Sequence, residues 1–245
     1  METANSVSRW TSLGVELPKS LAGAIDVFDA LQYVEIGHRP VFDLSKVTAA
    51  NAEAELKKYA AEYIFTIETT NPLGGRVSPL SEAKRDAVDT AAGAVVRAAV
   101  DAVPGIVSAL EPALSDAAHD YADAVAKLPD EITSENLVAA GAFAVAAYSD
   151  ALEALRRISV AESWVASIAN LPGHGGRPDR ALSVFKPETF IQLSRLDSAH
   201  VRDVDQAHKA LNPVMVAGVR NSVPFGLNTP ADAARLRREL ETVRM

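Results

Sequence analysis

The chain has 245 residues, a formal net charge of −8, 48% hydrophobic and 23% charged residues, and no cysteine. These values exclude a disulfide framework, a Cys-ligated metal or iron–sulfur site and a thiol nucleophile, and they leave enough apolar residues for a core without covalent staples. Alanine supplies 44 residues and arginine outnumbers lysine two to one, a bias that fits a GC-rich bacterial or phage source. Alanine also favours helix, because it loses no side-chain entropy on forming one.

Residues 1–17 carry Ser, Thr and Asn without a period and read as an N-terminal tail or extended arm, with Trp10 docked on its own domain. No basic region followed by an apolar run marks a secretory leader. Pro18 fits the first turn of a helix, with Leu21, Ile25, Phe28 and Leu31 at helical spacing and Gly37 and Pro40 ending it. A second helix is expected from about Lys46 to Thr69, lined by Leu56, Tyr59, Tyr63 and Ile67; its β-branched and aromatic end also admits a short strand. Asn71 to Arg76 is a loop by its Pro and Gly.

Ser78 and Pro79 restart a helix as cap and first residue. Val88, Ala92, Val95, Ala99 and Val103 form a narrow stripe, continued by Ile106, Leu110, Leu114, Tyr121, Val125 and Leu128. Pro104 is expected to kink or break this helix, and Pro112 interrupts the pattern again. A further helix runs from about Ser134 to Asn170, a rod of roughly 55 Å at 1.5 Å per residue. Leu137, Ala144, Ala151, Ile158 and Val165 repeat every seven residues, and Gly141, Tyr148, Leu155 and Ala169 fill most of a second seam that Glu162 breaks. Heptads with small seam residues suit close antiparallel helix pairing.

Leu171 to Asp179, with three glycines and two prolines, reads as a linker and a subdomain boundary. Beyond it, Pro187 begins a helix with Phe190, Ile191 and Leu193. Asp197 or Ser198 caps another, with Val201, Val204 and Leu211 on one face. Residues 212–228 read as irregular. Thr229 to Asp232 is close to a capping box, and it opens a terminal helix with Leu236, Leu240 and Val243 beside Arg235, Arg237, Arg238 and Arg244.

Charge is unevenly placed. Ten acids face one lysine between Asp101 and Leu155, whereas eleven Lys and Arg face eight acids from Leu171 onward. An acidic middle argues against nucleic acid, whose affinity comes mainly from phosphate neutralisation. No apolar run of the length a bilayer needs stands out, the longest being about Leu137 to Tyr148, and the chain is expected to be cytoplasmic, or in a virion if phage-derived.

Signatures of catalysis are missing: no Walker loop, no GxGxxG, no HExxH, no GxSxG. Two glycine loops beside Arg76 and Arg177 can offer backbone N–H groups to an anion, although helix connectors contain the same glycines. Asp205 and His208, like Asp197 and His200, are three apart. The two histidines, however, sit two turns apart, about 12 Å by the helical rise, too far for one ion. His208 falls on an apolar stripe and reads as a core histidine with a hydrogen-bond partner. No metal or cofactor is expected.

The reading is an all-α protein: a long, antiparallel, alanine-rich helical bundle or hairpin over 18–171, a linker at 172–180 and a smaller helical C-terminal part over 181–245. The expected function is non-catalytic. The chain reads as a helical assembly or interaction protein that self-associates along alanine-rich seams. Its terminal helix, through Arg235, Leu236, Arg237, Arg238, Leu240 and Arg244, takes an acidic protein partner. An acidic helical body with a basic amphipathic end is also the arrangement of phage scaffolding proteins, an analogy of organisation alone. The alternative is an enzyme or small-ligand binder with a pocket between bundle and C-terminal part. Convergence of Arg76, His174, Arg177, His200 and His208 on one cleft would favour it.

Overall fold

The computed structural model describes residues 1–13, 16–36, 40–70, 76–199 and 205–242. Among these residues the chain is all-α. Its helices are α1 (Glu2–Ser8), α2 (Lys19–Tyr33), α3 (Ala52–Thr66), α4 (Pro79–Val125), α5 (Ser134–Ala139), α6 (Ala142–Ser167), α7 (Phe190–Ser198), α8 (Gln206–Ala210), α9 (Pro213–Arg220) and α10 (Pro230–Thr242). They belong to two compact units, one of Lys19–Arg97 with Met1, the other of Glu2–Pro18 and Ala98–Met245. The boundary expected at 172–180 falls inside the second unit.

In the first unit, α2 buries Leu21, Ile25 and Phe28, as their spacing predicts. It ends at Tyr33, where Lys84 Nζ donates to the Val34 carbonyl at 2.6 Å and ties this end to the start of α4. The stop expected at Gly37 lies outside the described residues. α3 is shorter than the Lys46–Thr69 helix expected. Thr48 N–H donates to Asn51 Oδ1 at 2.6 Å and Asn51 Nδ2 donates to the Lys46 carbonyl at 3.0 Å, and this local turn delays the helix to Ala52. The rings of Phe42, Tyr59 and Tyr63 follow one another at 5.1 and 5.7 Å. None of the 15 residues of α3 is buried. After α3, Thr69–Thr70 (β1) pairs antiparallel with Arg76–Val77 (β2), the short strand that the β-branched run admits.

Ser78 Oγ accepts from Ser81 N–H at 3.2 Å and starts α4 where its sequence predicts. The expected break at Pro104 does not occur, and α4 continues through both Pro104 and Pro112. Each proline removes the donor for the carbonyl four residues earlier. Those carbonyls belong to Val100 and Ser108, which together with the two exposed prolines lie away from the buried stripe, so water can replace the lost donors. The stripe from Val88 to Leu128 is buried at every position named for it. By length and composition α4 is apolar enough to cross a membrane, unlike the shorter run at 137–148; a core helix meets the same description.

The second unit is organised around α6. The rod expected from Ser134 to Asn170 is interrupted at Gly141, whose φ of +87° a residue with a Cβ rarely adopts. Thr133 caps α5 by accepting from Asn136 N–H, and α6 begins after the glycine. The first seam is buried as expected. The second does not run through Gly141, Tyr148, Leu155 and Ala169 with a break at Glu162, but without a break through Ala147, Ala154, Ala161 and Ile168, all at most 3% exposed. The larger residues look like the natural seam in sequence. Alanine fills it because a small side chain lets the neighbouring backbone come close.

Residues 2–13 are helical and docked rather than an extended arm. Trp10 is buried, its ring edge-on to Trp164 at 5.7 Å, with Nε1 donating to Ser167 Oγ at 2.7 Å. Ser167 Oγ in turn donates to the Trp164 carbonyl, and Ser6 Oγ donates to the Ser167 carbonyl. The loop after α6 is also tied down. Gly176 N–H donates to the Ala169 carbonyl at 2.8 Å, and the His174 carbonyl accepts from Ala231 N–H at 3.1 Å.

C-terminal to this loop, residues 182–186 and 223–228 run together. Lys186 N–H donates to Pro224 O, Gly226 N–H to Val184 O, and the buried Asn228 Nδ2 to the carbonyls of Leu182 and Phe185. Asp197 and Ser198 end α7 rather than capping a new helix, and Asp205 caps α8 through Ala207 N–H. Val201 and Val204 lie outside the described residues. The stretch 212–228, expected to be irregular, contains α9, with Asn212 as cap and Pro213 in the first turn. Gly218 within it has a packing reason: a Cβ there would fall 2.9 Å from Phe185 Cε2 and nearer still to other ring atoms. Tyr121 Oη donates to the Leu211 carbonyl at 2.6 Å, fastening the end of α8 to α4. Burial pushes this phenol above its usual range.

The seam register predicts a clear asymmetry. Ala154→Leu should overpack and cost about 1–3 kcal/mol, whereas Leu155→Ala at the half-buried neighbour should cost less. Thermal melts of Ala154→Leu and Leu155→Ala compare the two directly.

Candidate functional site

An open cleft of about 1170 Å³ in the second unit is lined by the C-terminal half of α6, the loop after it, Asn212 and α10. Ser159, Glu162, Ser163 and Ala166 recur at helical spacing, so one face of α6 supplies one wall. Arg177, Pro178, Asp179 and Arg180 supply another, from the tied-down loop.

The capping box expected at Thr229 forms: Thr229 Oγ1 accepts from Asp232 N–H at 3.1 Å and donates to the Asp232 carboxylate at 2.7 Å. It starts α10 so that Arg237, two turns on, reaches the cleft. Its Nε donates to Asp179 Oδ2 at 2.8 Å, and its two Nη atoms take both carboxylate oxygens of Asp197, each at 2.8 Å. The forked guanidinium suits this two-sided capture. Both carboxylates hold its protonated form still more firmly than usual. The side chain is 28% exposed, so the ion pairs are partly shielded from solvent.

The remaining residues proposed for a partner are placed differently. Arg235 pairs along its own helix with Asp232 at 2.7 Å. Leu236 and Leu240 are half-buried. Arg238 is exposed, and among the described residues its side chain carries no ion pair. Arg244 lies outside the described residues. Of the two anion candidates, Arg177 lines the cleft, while Arg76 is on β2 in the other unit, its side chain outside the described residues.

The histidines do not gather there. His208 lines a separate cavity of about 300 Å³ beside Arg195 and Arg220, and His200 lies outside the described residues. His208 was expected to have a hydrogen-bond partner, but its Nε2 has none among the described residues, and burial lowers its pKa. No cluster of three or more candidate metal ligands occurs among the described residues.

Sequence reasoning missed Glu162, Arg180, Ser163 and Asn212 as cleft residues. A signal for Glu162 was present: an acid at an expected seam position. Burial raises its pKa, while Arg180 acts in the opposite direction. Compared with known proteins, the chain matches no family model, no curated protein and no solved structure.

Two predictions follow from this geometry. The folded protein holds the Glu162 proton more tightly than the unfolded chain, so this group's contribution to stability falls as pH rises through its folded titration. Glu162→Gln should therefore raise the melting temperature at neutral pH, with the gain shrinking on acidification; a difference independent of pH would contradict the burial argument. Arg237→Ala should cost about 1–2 kcal/mol through lost charge-assisted bonds, and Arg238→Ala under about 0.5 kcal/mol. Urea melts of both variants measure the contrast.

Proposed function

We propose that the protein is a non-catalytic helical interaction protein that associates with a second copy through α3. The observation that carries this reading is the bareness of that helix. An isolated helix of about 12–15 residues is marginal in water, and most helices in proteins owe their stability to a packed face. α3 has 15 residues and buries none of them, while Leu56, Ile64, Phe65 and Ile67 are each more than 40% exposed. Val41 and Leu44, just before it in the chain, are 87% and 75% exposed. Clustered apolar exposure of this kind accompanies interaction surfaces.

The alanine seam of α6, first assigned to self-association, is occupied within the chain, and this moves the proposed contact to α3. A copy of the same unit supplies the matching apolar surface, as an isologous dimer requires. For an acidic partner, the exposed Arg238 is the available cation of α10, since Arg237 is engaged by Asp179 and Asp197. The phage-scaffold analogy is one form this assembly reading can take. The cleft beside α6 supports a second reading, ligand binding.

Light scattering coupled to gel filtration tests the proposal. The wild type should have a mass of two or more chains, and Leu56→Glu with Ile64→Glu should shift it toward one chain of 25.9 kDa. A monomeric wild type at concentrations up to about 100 μM, a weak range for a specific contact, would overturn self-association.

A further inference from the structure

We infer that the cleft between α6 and the loop 177–180 binds a phosphorylated small molecule, its phosphate held by Arg177 and Arg180. The argument is a census of charges and hydrogen-bonding groups. Three guanidiniums and two carboxyls line the cleft. Arg237 and Asp179 neutralise each other at 2.8 Å, and the rest of Arg237 is taken by Asp197. What remains is Arg177 and Arg180 against Glu162. Neither arginine makes an ion pair within 4 Å among the described residues.

The neutral groups lean the same way. Asn212 uses its Oδ1 to accept from Val214 N–H at 3.2 Å, which leaves its Nδ2 donors without a partner among the described residues. The Ser163 hydroxyl is exposed and likewise makes no hydrogen bond among them. The cleft thus presents free donors in excess of free acceptors, and two positive charges against one group that can be negative. Its natural occupant is rich in acceptors and anionic. Guanidinium groups match phosphate oxygens in geometry as well as charge. A cavity of about 1170 Å³ also exceeds what a lone phosphate fills, and Ala166 and Pro178 offer apolar surface for the body of the molecule.

Glu162 sets a condition on this binding. Burial already favours its neutral form, in which it adds a donor; when ionised it opposes the anion. Its removal as a charge should therefore help the ligand, the reverse of what a carboxylate recognising a cation would show.

Isothermal titration at fixed ionic strength tests the inference, with inorganic phosphate, AMP as a phosphomonoester, and adenosine as the same body without phosphate. The wild type should bind AMP, bind phosphate more weakly and ignore adenosine. Arg177→Ala with Arg180→Ala should weaken AMP at least tenfold, and Glu162→Gln should tighten it severalfold. Both arginines are exposed, so the double variant should keep the wild-type circular dichroism and melting temperature. Phosphate binding as tightly as AMP would assign the site to the free ion. Equal binding of adenosine and AMP, no binding of either phosphate probe, or an affinity unchanged in the double arginine variant would overturn the inference. Because all probes act on the second unit, none of these outcomes depends on whether α3 joins two copies.

Discussion

Burial of a row of alanines along α6 is the constraint on which the second unit depends. From Ala144 to Ile168 the buried positions of α6 and its cap alternate at steps of three and four: Ala144, Ala147, Ala151, Ala154, Ile158, Ala161, Val165 and Ile168. Each alanine buries little apolar area, so the seam gains less from desolvation than a leucine seam would. What it gains is proximity, and bulk is supplied elsewhere. The buried Trp164, with Trp10 packed on its edge, fills volume at the far end of the helix. A seam of this kind tolerates enlargement poorly, which is why its register matters to everything packed on it.

The same register determines what the opposite face of α6 can do. Had the seam lain at Tyr148, Leu155 and Glu162, the acid would have been a core defect. One residue's rotation puts Ala161 in the core and leaves Glu162 on the wall of the cleft, half-buried and facing the positive loop. Arg237 then closes another side while holding α10 in place. The architecture therefore makes one cleft from a helix face, a loop tied back to Ala169, and a helix docked through Arg237 and Ala231.

Much of this was legible in the residues. The stripe of α4, the first heptad seam of α6, the Ser78 start and the Thr229 capping box follow from spacing and side-chain chemistry, and the structure has them where they were read. The misreadings share a physical cause: local rules met tertiary context. Pro104 predicts a kink or a break, but its exposed position lets the helix continue unbroken. Gly141 was read as a small seam residue, whereas its positive φ ends one helix before the next. In α9, Val214, Val216 and Gly218 look unlike a helix, yet Asn212 and Pro213 start one and Gly218 makes room for the Phe185 ring. The cleft was the least legible part. Arg177 was singled out by its glycines, but nothing local shows that Glu162, Asn212 and Arg237 share a space with it, since only folding brings them there.

The docking of Trp10 has a consequence for how the chain is made. Its indole partner, Ser167, lies 157 residues later in sequence. At translation rates of about 5–20 residues per second, that residue emerges on the order of 10 s or more after Trp10. Throughout that interval Trp10, buried in the finished fold, lacks its contacts with Trp164 and Ser167. The N-terminal helix is thus the first of the second unit to be synthesised, yet it cannot make this contact until α6 is complete. During that interval it is open to capture by a chaperone or by a neighbouring nascent chain.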